Sequence, residues 1–418
     1  MTQTTFSDVK GFKVAGVHAG LKADGALDMA LIYSEAPCSA AGVFTTNLVK
    51  AAPVLVDQAT LAANDHHIRA VIVNTRCANA ATGQQGIDNA RQMQRWTAER
   101  LGIGEDEVLV MSTGVIGTQL PMDKIQHGIA LAVDGLGSDW DAAARGIMTT
   151  DTRPKLASMR KSANGYAVTG IAKGAGMIAP NMATMLGVIT TDAAVQPDVL
   201  ADKARLMANL TFNRISVDGD MSTNDTLLIL ANGQSGSQHE AGYFSNPLYN
   251  VCLNLAKAIV RDGEGATKFI TINVRGTPTP EAAKQIAQTI ATSPLVKTAF
   301  YGGDANWGRI MAAAGRAGIP FDVNQAELWI CSGEETSAAP IETTNDWEAP
   351  YIKVPADALQ LFGGGMPLAY DETAAGAIMQ SRSITVTLKC GEPNMVSETV
   401  WTCDLSHDYV SVNGHYRS

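Results

Sequence analysis

Apolar residues along this chain recur in two rhythms, short continuous runs of β type and spacings that suit one face of a helix. Arg69-Ala70-Val71-Ile72-Val73-Asn74 and Glu107-Val108-Leu109-Val110-Met111 read as buried strands, and both stop at small polar residues where a site can open. Between them, Asp88 to Arg100 has helical composition. Asp225-Thr226-Leu227-Leu228-Ile229-Leu230-Ala231 is another central strand. After Ser245-Asn246-Pro247, the residues Leu248, Val251, Cys252, Leu255, Ala256, Ile259 and Val260 fall at helical spacing. Ser245 can cap that helix, and Pro247 suits its first turn. The helix ends at Asp262-Gly263-Glu264-Gly265, and Lys268 to Val274 follows as a strand, so Glu264 sits on a glycine-flanked turn. A further helix is predicted from about Pro280 to Thr292, and strands near 327–331, 383–389 and 398–403. Strands and helices mix without a strict βαβ rhythm, which predicts an α+β layering rather than a doubly wound sheet. No repeat period is visible.

Composition narrows the function classes. The chain is 46% hydrophobic and only 6% aromatic, so its core is aliphatic. With 41 acidic against 31 basic residues the net charge is −10, and no long basic run is present. Nucleic acid and anionic membrane both favour a basic face, so neither is an expected partner. The cysteines at 38, 77, 252, 331, 390 and 403 are too scattered for a metal finger or a redox pair, and read as buried free thiols. The first residues show no basic start and no apolar signal core, and no apolar stretch reaches about 18 residues. A soluble, cytoplasmic protein is expected.

Candidate chemistry gathers at residues 173–191. Lys173, Gly174 and Gly176 lie upstream of Ala183-Thr184, and the apolar run Met185-Leu186-Gly187-Val188-Ile189 follows. Small residues suit a main chain folded tightly around its own carbonyl, and a strand would hold the Thr184 hydroxyl still. A threonine alcohol needs a base to act as a nucleophile. Cleavage between Ala183 and Thr184 would supply one, an α-amino group with a pKa of about 7.7–8.0 in model peptides.

This segment resembles the self-cleavage motif of the ornithine acetyltransferase family, bifunctional glutamate N-acetyltransferases of arginine biosynthesis that are cut between Ala and Thr. Ser112-Thr113-Gly114-Val115-Ile116-Gly117, Ile147-Met148-Thr149-Thr150-Asp151-Thr152, Val217-Asp218-Gly219-Asp220, the stretch from Val260 to Lys268 and Asn413-Gly414-His415-Tyr416-Arg417-Ser418 also resemble family signatures, in family order. The resemblance implies layers of helices enclosing two sheets, as in N-terminal-nucleophile enzymes, with a smaller C-terminal α/β region from about residue 280. It implies self-cleavage into an alpha piece, 1–183, and a beta piece, 184–418, assembled as two of each. Thr184 is then the nucleophile, and Thr113 and Gly114 the oxyanion hole. Thr150, Lys173, Thr184, Glu264, Asn413 and Ser418 would bind substrate, with Thr149 and Thr152 open as alternatives to Thr150. By themselves Ser-Thr-Gly is an ordinary turn and Glu264 an ordinary loop carboxylate. One departure, Gly414-His415 in place of the more usual small-acidic pair, leaves Asn413 and Ser418 untouched.

The implied activity is acetyl exchange from N2-acetyl-L-ornithine to L-glutamate through an acetyl-threonine ester. It needs no cofactor, because donor and product amides are similar in energy. Bifunctional members also use acetyl-CoA, and the sequence leaves that second donor open. The rival expectation is a self-processing aminopeptidase or amidohydrolase with the same layout and water as acceptor. Other motifs fail. Asp218-Gly219-Asp220 opens like a calcium loop, but Thr223 and Ile229 stand where a glycine and a bidentate glutamate belong. The dinucleotide, P-loop and serine-hydrolase glycine motifs are lacking, His66-His67 has no metal-ligand company, and no metal is expected.

Overall fold

A computed structural model describes residues 8–161, 165–179, 185–236, 245–334, 354–391 and 396–414. They fall into two units, Met1–Asn213 with Asp220–Asp262, and Arg214–Gly219 with Gly263–Ser418.

The first unit is organised by one bent strand. Its strands are β1 (Phe12–Val17), β2 (Met29–Phe44), β3 (Ile68–Asn74), β4 (Val108–Ser112), β5 (Lys155–Arg160), β6 (Ala167–Lys173) and β7 (Leu186–Thr191). After β8 (Ile215–Ser216), which belongs to the second unit, β9 (Thr226–Ala231) completes the set. The start of β2 pairs with β1 and β3, and its end, Ser39–Phe44, pairs with β9. Between them the β2–β3 register shifts from Tyr33 to Cys38. Pro37 lies in that gap, and a residue without an N–H cannot continue a ladder. The sheet therefore runs β4-β3-β2-β9-β7-β6-β5 around a bulge.

The two halves of this sheet share one apolar layer. Val71, Val73, Leu109 and Met111 from one half cluster with Ile171, Leu186, Val188 and Leu228 from the other. Alternate residues on the outer side, Leu31, Ile72 and Val110, pack against helices α1 (Ala52–Ala63), α2 (Gly83–Leu101) and α3 (Met122–Asp134) through Val56, Met93 and Ile125. A short α4 (Trp140–Gly146) closes the β1 edge, and α5 (Pro197–Leu210) and α6 (Ser245–Arg261) cover the second half. Each such aliphatic side chain contributes about 1.5–3 kcal/mol on burial. The unit is thus helix, sheet, sheet, helix, the layering that the family resemblance implies. The helical stretch at 88–100 lies in α2, and the one after Pro247 is α6. The side chain of Ser245, the expected cap, lies outside the described residues.

In the second unit the sheet order is β13-β12-β11-β14-β10-β15-β8, with β10 (Phe269–Thr277), β11 (Glu327–Ser332), β12 (Leu359–Gly363), β13 (Met366–Pro367), β14 (Ser383–Lys389) and β15 (Val396–Cys403). Ile270, Ile272 and Val274 alternate with Thr271 and Asn273, so one face of β10 is apolar. That face packs on Ile286 and Ile290 of α7 (Pro280–Ala291), Phe300 of α8 (Pro294–Gly302), Ile310 of α9 (Trp307–Gly315) and Met379 of α10 (Glu372–Met379). A final helix, α11 (His407–Gly414), ends the described chain. No helix among the described residues is long and apolar enough to cross a membrane.

Candidate active site

Strands β3 and β4 run parallel and end together, so Asn74 and Ser112 lie side by side. Ser112 Oγ donates to Asn74 Oδ1 (2.7 Å), and the Thr113 N–H donates to the Asn74 carbonyl (3.0 Å). Asn224, just before β9, donates through Nδ2 to the carbonyls of Ser112 (2.8 Å) and Ala78 (2.6 Å). These bonds fix the turn that carries Thr113 and Gly114. Gly114 has φ +135°, and a Cβ there would lie 2.2 Å from the Arg76 carbonyl carbon and 2.5 Å from the Cys77 nitrogen. Only glycine lets these two chain segments approach so closely.

Lys173 ends β6, and its Nζ donates to Thr113 Oγ1 at 3.3 Å. Both side chains are buried, so this lysine is not the solvated surface residue that an isolated lysine usually is. The next residue, Gly174, donates its N–H to Asp151 Oδ1 (2.7 Å), and Asp151 Oδ2 accepts from the Thr149 N–H (2.9 Å). Lys155, the first residue of β5, reaches Asp151 Oδ1 at 2.5 Å and Asp262 Oδ2 at 2.6 Å. Asp262 also accepts the Thr152 N–H (3.0 Å) and the Thr152 hydroxyl. Burial alone would raise the Asp151 carboxyl, but the Lys155 and Lys173 charges and the Gly174 N–H outweigh it and hold the pKa at about 2. The hydroxyl of Thr152 is therefore occupied by Asp262. Thr149 lines a cleft, and Thr150 sits half-buried between them.

A second buried carboxyl behaves oppositely. Asp225 Oδ1 accepts the Met185 N–H (3.1 Å), while Oδ2 has no hydrogen-bond partner among the described residues. Burial pushes its pKa well up, and the Met185 N–H and the Lys173 charge only partly oppose this. The amide it holds is the one that joins Met185 to Thr184. Ala183, Thr184 and Ser418 themselves lie outside the described residues.

In the second unit Glu264 and Asn413 come together. Asn413 Nδ2 donates to Glu264 Oε2 (2.8 Å) and to the Tyr409 carbonyl (3.0 Å). The Tyr409 hydroxyl donates to Asp218 Oδ2 (3.2 Å), and Ser406 Oγ to the Gly265 carbonyl (2.6 Å). Gly265 has φ +68°, and a Cβ there would stand 2.5 Å from the Tyr409 nitrogen. The glycine beside Glu264 is thus what lets α11 lie against the turn.

Lys155, Asp262 and Asp225 were not singled out from the sequence. The signal for Lys155 was available, four residues after Asp151, but an isolated i,i+4 pair is usually a surface pair. All six cysteines are buried free thiols. Burial pushes the Cys38 and Cys390 thiols up to about 12, which keeps them from serving as thiolate nucleophiles.

Comparison with known proteins identifies the family. The ArgJ family model matches residues 13–418. "Arginine biosynthesis bifunctional protein ArgJ" from Geobacter sulfurreducens is 46% identical over 98% of this chain and 100% of its own length. The mitochondrial ArgJ of Heterostelium pallidum is 43% identical over 98% and 94%. A solved chain of ornithine acetyltransferase complexed with ornithine, from Mycobacterium tuberculosis, is 42% identical, covers 44% of this chain and 98% of that one, and superposes with a TM-score of 0.41. With similarity running almost from end to end and a layered unit placing Thr113 beside a buried lysine, the chain belongs to the ArgJ family of arginine-biosynthesis enzymes.

Proposed function

We propose that this chain cuts its own Ala183–Thr184 bond and then carries acetyl from N2-acetyl-L-ornithine to L-glutamate as an ester on Thr184. The Thr184 hydroxyl attacks the donor amide, and its proton passes to the freed α-amine of the same residue. The tetrahedral oxyanion is met by the Thr113 hydroxyl and the Gly114 N–H, and loss of one such donor typically costs about 2.7–4 kcal/mol. Collapse breaks the C–N bond, and the proton held by the α-amine leaves with ornithine. Glutamate then attacks the ester, gives its proton back through the same amine to Thr184 Oγ, and departs as N-acetylglutamate.

The observation that carries this reading is the buried Lys173–Thr113 contact at 3.3 Å. An ammonium can only donate, so Thr113 Oγ1 accepts, and its own proton is left to point at a developing oxyanion. Asp225 supports it by holding the amide next to Thr184. Glu264 and Asn413 form the reading's contact for the cationic end of ornithine, with Thr150, Lys173 and Ser418 as the other substrate contacts. The bifunctional names of the relatives favour acetyl-CoA as a second donor to the same hydroxyl. The working molecule is two alpha pieces, 1–183, and two beta pieces, 184–418. The Heterostelium relative is named mitochondrial, so membership alone sets no compartment.

Intact-mass spectrometry tests the reading. Two fragments meeting at Ala183/Thr184, and one acetyl added to the larger on incubation with acetylornithine, are expected. Thr184→Ala should abolish both cutting and transfer. An uncut active chain, or acetyl on another residue, would overturn the reading. Acetate release without glutamate at the rate of transfer would favour the hydrolase instead.

A further inference from the structure

Arg76 is an unusual residue for its backbone. It has φ +69°, a left-handed conformation that side chains with a Cβ rarely adopt. The turn described above holds it there. Its carbonyl accepts the Val115 N–H at 3.1 Å, and Cys77 bridges to Thr113 and Val115. A strained residue that its surroundings over-determine, next to a proposed oxyanion turn, invites a functional explanation.

The side chain has one. Arg76 is exposed and lines a cleft of about 650 Å³ with Lys22, Asp24, Arg145, Thr149 and Asp151; Asp24 Oδ1 accepts the Ala26 N–H at 3.0 Å. Among the described residues no carboxylate or carbonyl pairs with its guanidinium. Asp151 does not serve, because its oxygens already take Lys155, Gly174 and Thr149. Arg145 is engaged by Asp141 at 2.6 Å. Lys22 is half-buried, with Nζ on the Leu27 carbonyl at 2.7 Å. Burial lowers its pKa, the Asp28, Asp24 and Asp151 carboxylates oppose this, and the Arg76 charge adds a smaller push downward. The volume is that of a small-molecule site, about 300–1,000 Å³.

We infer that this cleft is an anion subsite, in which Arg76 and Lys22 grip the carboxylate or phosphate of a substrate that lies along the Thr149–Asp151 loop. The guanidinium fork suits either oxygen group. The binding follows from the cleft alone; only the identity of the substrate rests on the acyl-transfer reading. A carboxylate would be that of glutamate or acetylornithine, and a phosphate that of a coenzyme-A donor.

The test uses Arg76→Gly, which removes the guanidinium and relieves the backbone, so a folding defect cannot mimic the result. Inorganic pyrophosphate and glutarate are titrated calorimetrically into the full chain and into the variant. The wild-type chain should bind at least one, and the variant should bind it roughly ten- to a hundredfold more weakly, with an unchanged or higher melting temperature. Arg76→Lys should recover part of the loss. The tighter probe names the source: pyrophosphate predicts a raised KM for acetyl-CoA alone, glutarate a raised KM for glutamate or acetylornithine. If neither binds at millimolar concentration, or both bind Arg76→Gly as well as wild type, the subsite is overturned. A chain that binds a probe through Arg76 yet transfers no acetyl would sink the proposed function and leave the subsite standing.

Discussion

Asp151 and Asp225 are buried in the same unit, both feel Lys173, and they titrate in opposite directions. The difference lies in their other partners. Asp151 has an ammonium at 2.5 Å and two backbone N–H donors. Asp225 has the Met185 N–H at 3.1 Å, weaker help from Ser222 and Thr45, and no ammonium in contact among the described residues. Burial by itself favours the neutral acid, and only a dense set of donors reverses it. The consequence is a division of labour. Around Asp151 fixed charges lock the Thr149–Thr152 stretch to β5, β6 and the residue after α6. Around Asp225 burial favours the protonated carboxyl, which holds the Met185 amide.

The sharpest way to break this contrast is Lys155→Met. It removes the buried ammonium shared by Asp151 and Asp262, leaving Asp262 only the exposed Arg153, at 3.5 Å, as a described cationic partner, and should cost about 3–5 kcal/mol in urea unfolding. A loss under 1 kcal/mol would mean that the loop is held by its backbone bonds instead. Next in size is the pH dependence of Asp151. Its folded pKa is depressed, from 3.8 to about 2, so its stabilisation is present above about pH 4 and is lost as pH falls through that window. This is on the order of 2 kcal/mol, and Asp151→Asn should remove the acid slope.

Asp225 carries the opposite sign. Its folded pKa is raised, so its contribution is complete below about pH 4 and declines as pH rises toward the folded value. Asp225→Asn keeps an oxygen for the Met185 N–H and should remove a decline of up to about 1.4 kcal/mol per pH unit. An unchanged profile between pH 5 and 8 would show that this carboxyl is ionised after all. The smallest effect belongs to the second unit. Asn413 is exposed although its partner Glu264 is buried. Asn413→Ala should therefore cost about 1 kcal/mol or less in stability, and register mainly as a raised KM for acetylornithine.

Much of this molecule could be read from residue order. The runs at 69–74, 107–111 and 225–231 are strands because aliphatic residues in sequence must find a sheet with both faces covered. The alternation in β10 exposes one apolar face to α7. Thr113, Lys173, Glu264 and Asn413 were named through resemblance, and the fold places them in two local pairs, one in each unit. The spacing of Lys155 from Asp151 was visible, but its burial depends on Asp262 arriving from more than a hundred residues away, and Arg76 looked ordinary because residue identity does not report φ. Periodicity and glycine placement, which act through near neighbours, determined the elements and the turn chemistry. Which charges are paired, which carboxyl is pushed up and which guanidinium is left facing a cleft were decided by tertiary structure alone. Those properties depend on desolvation and on donors a few ångströms away in space, and neither is written in the order of the chain.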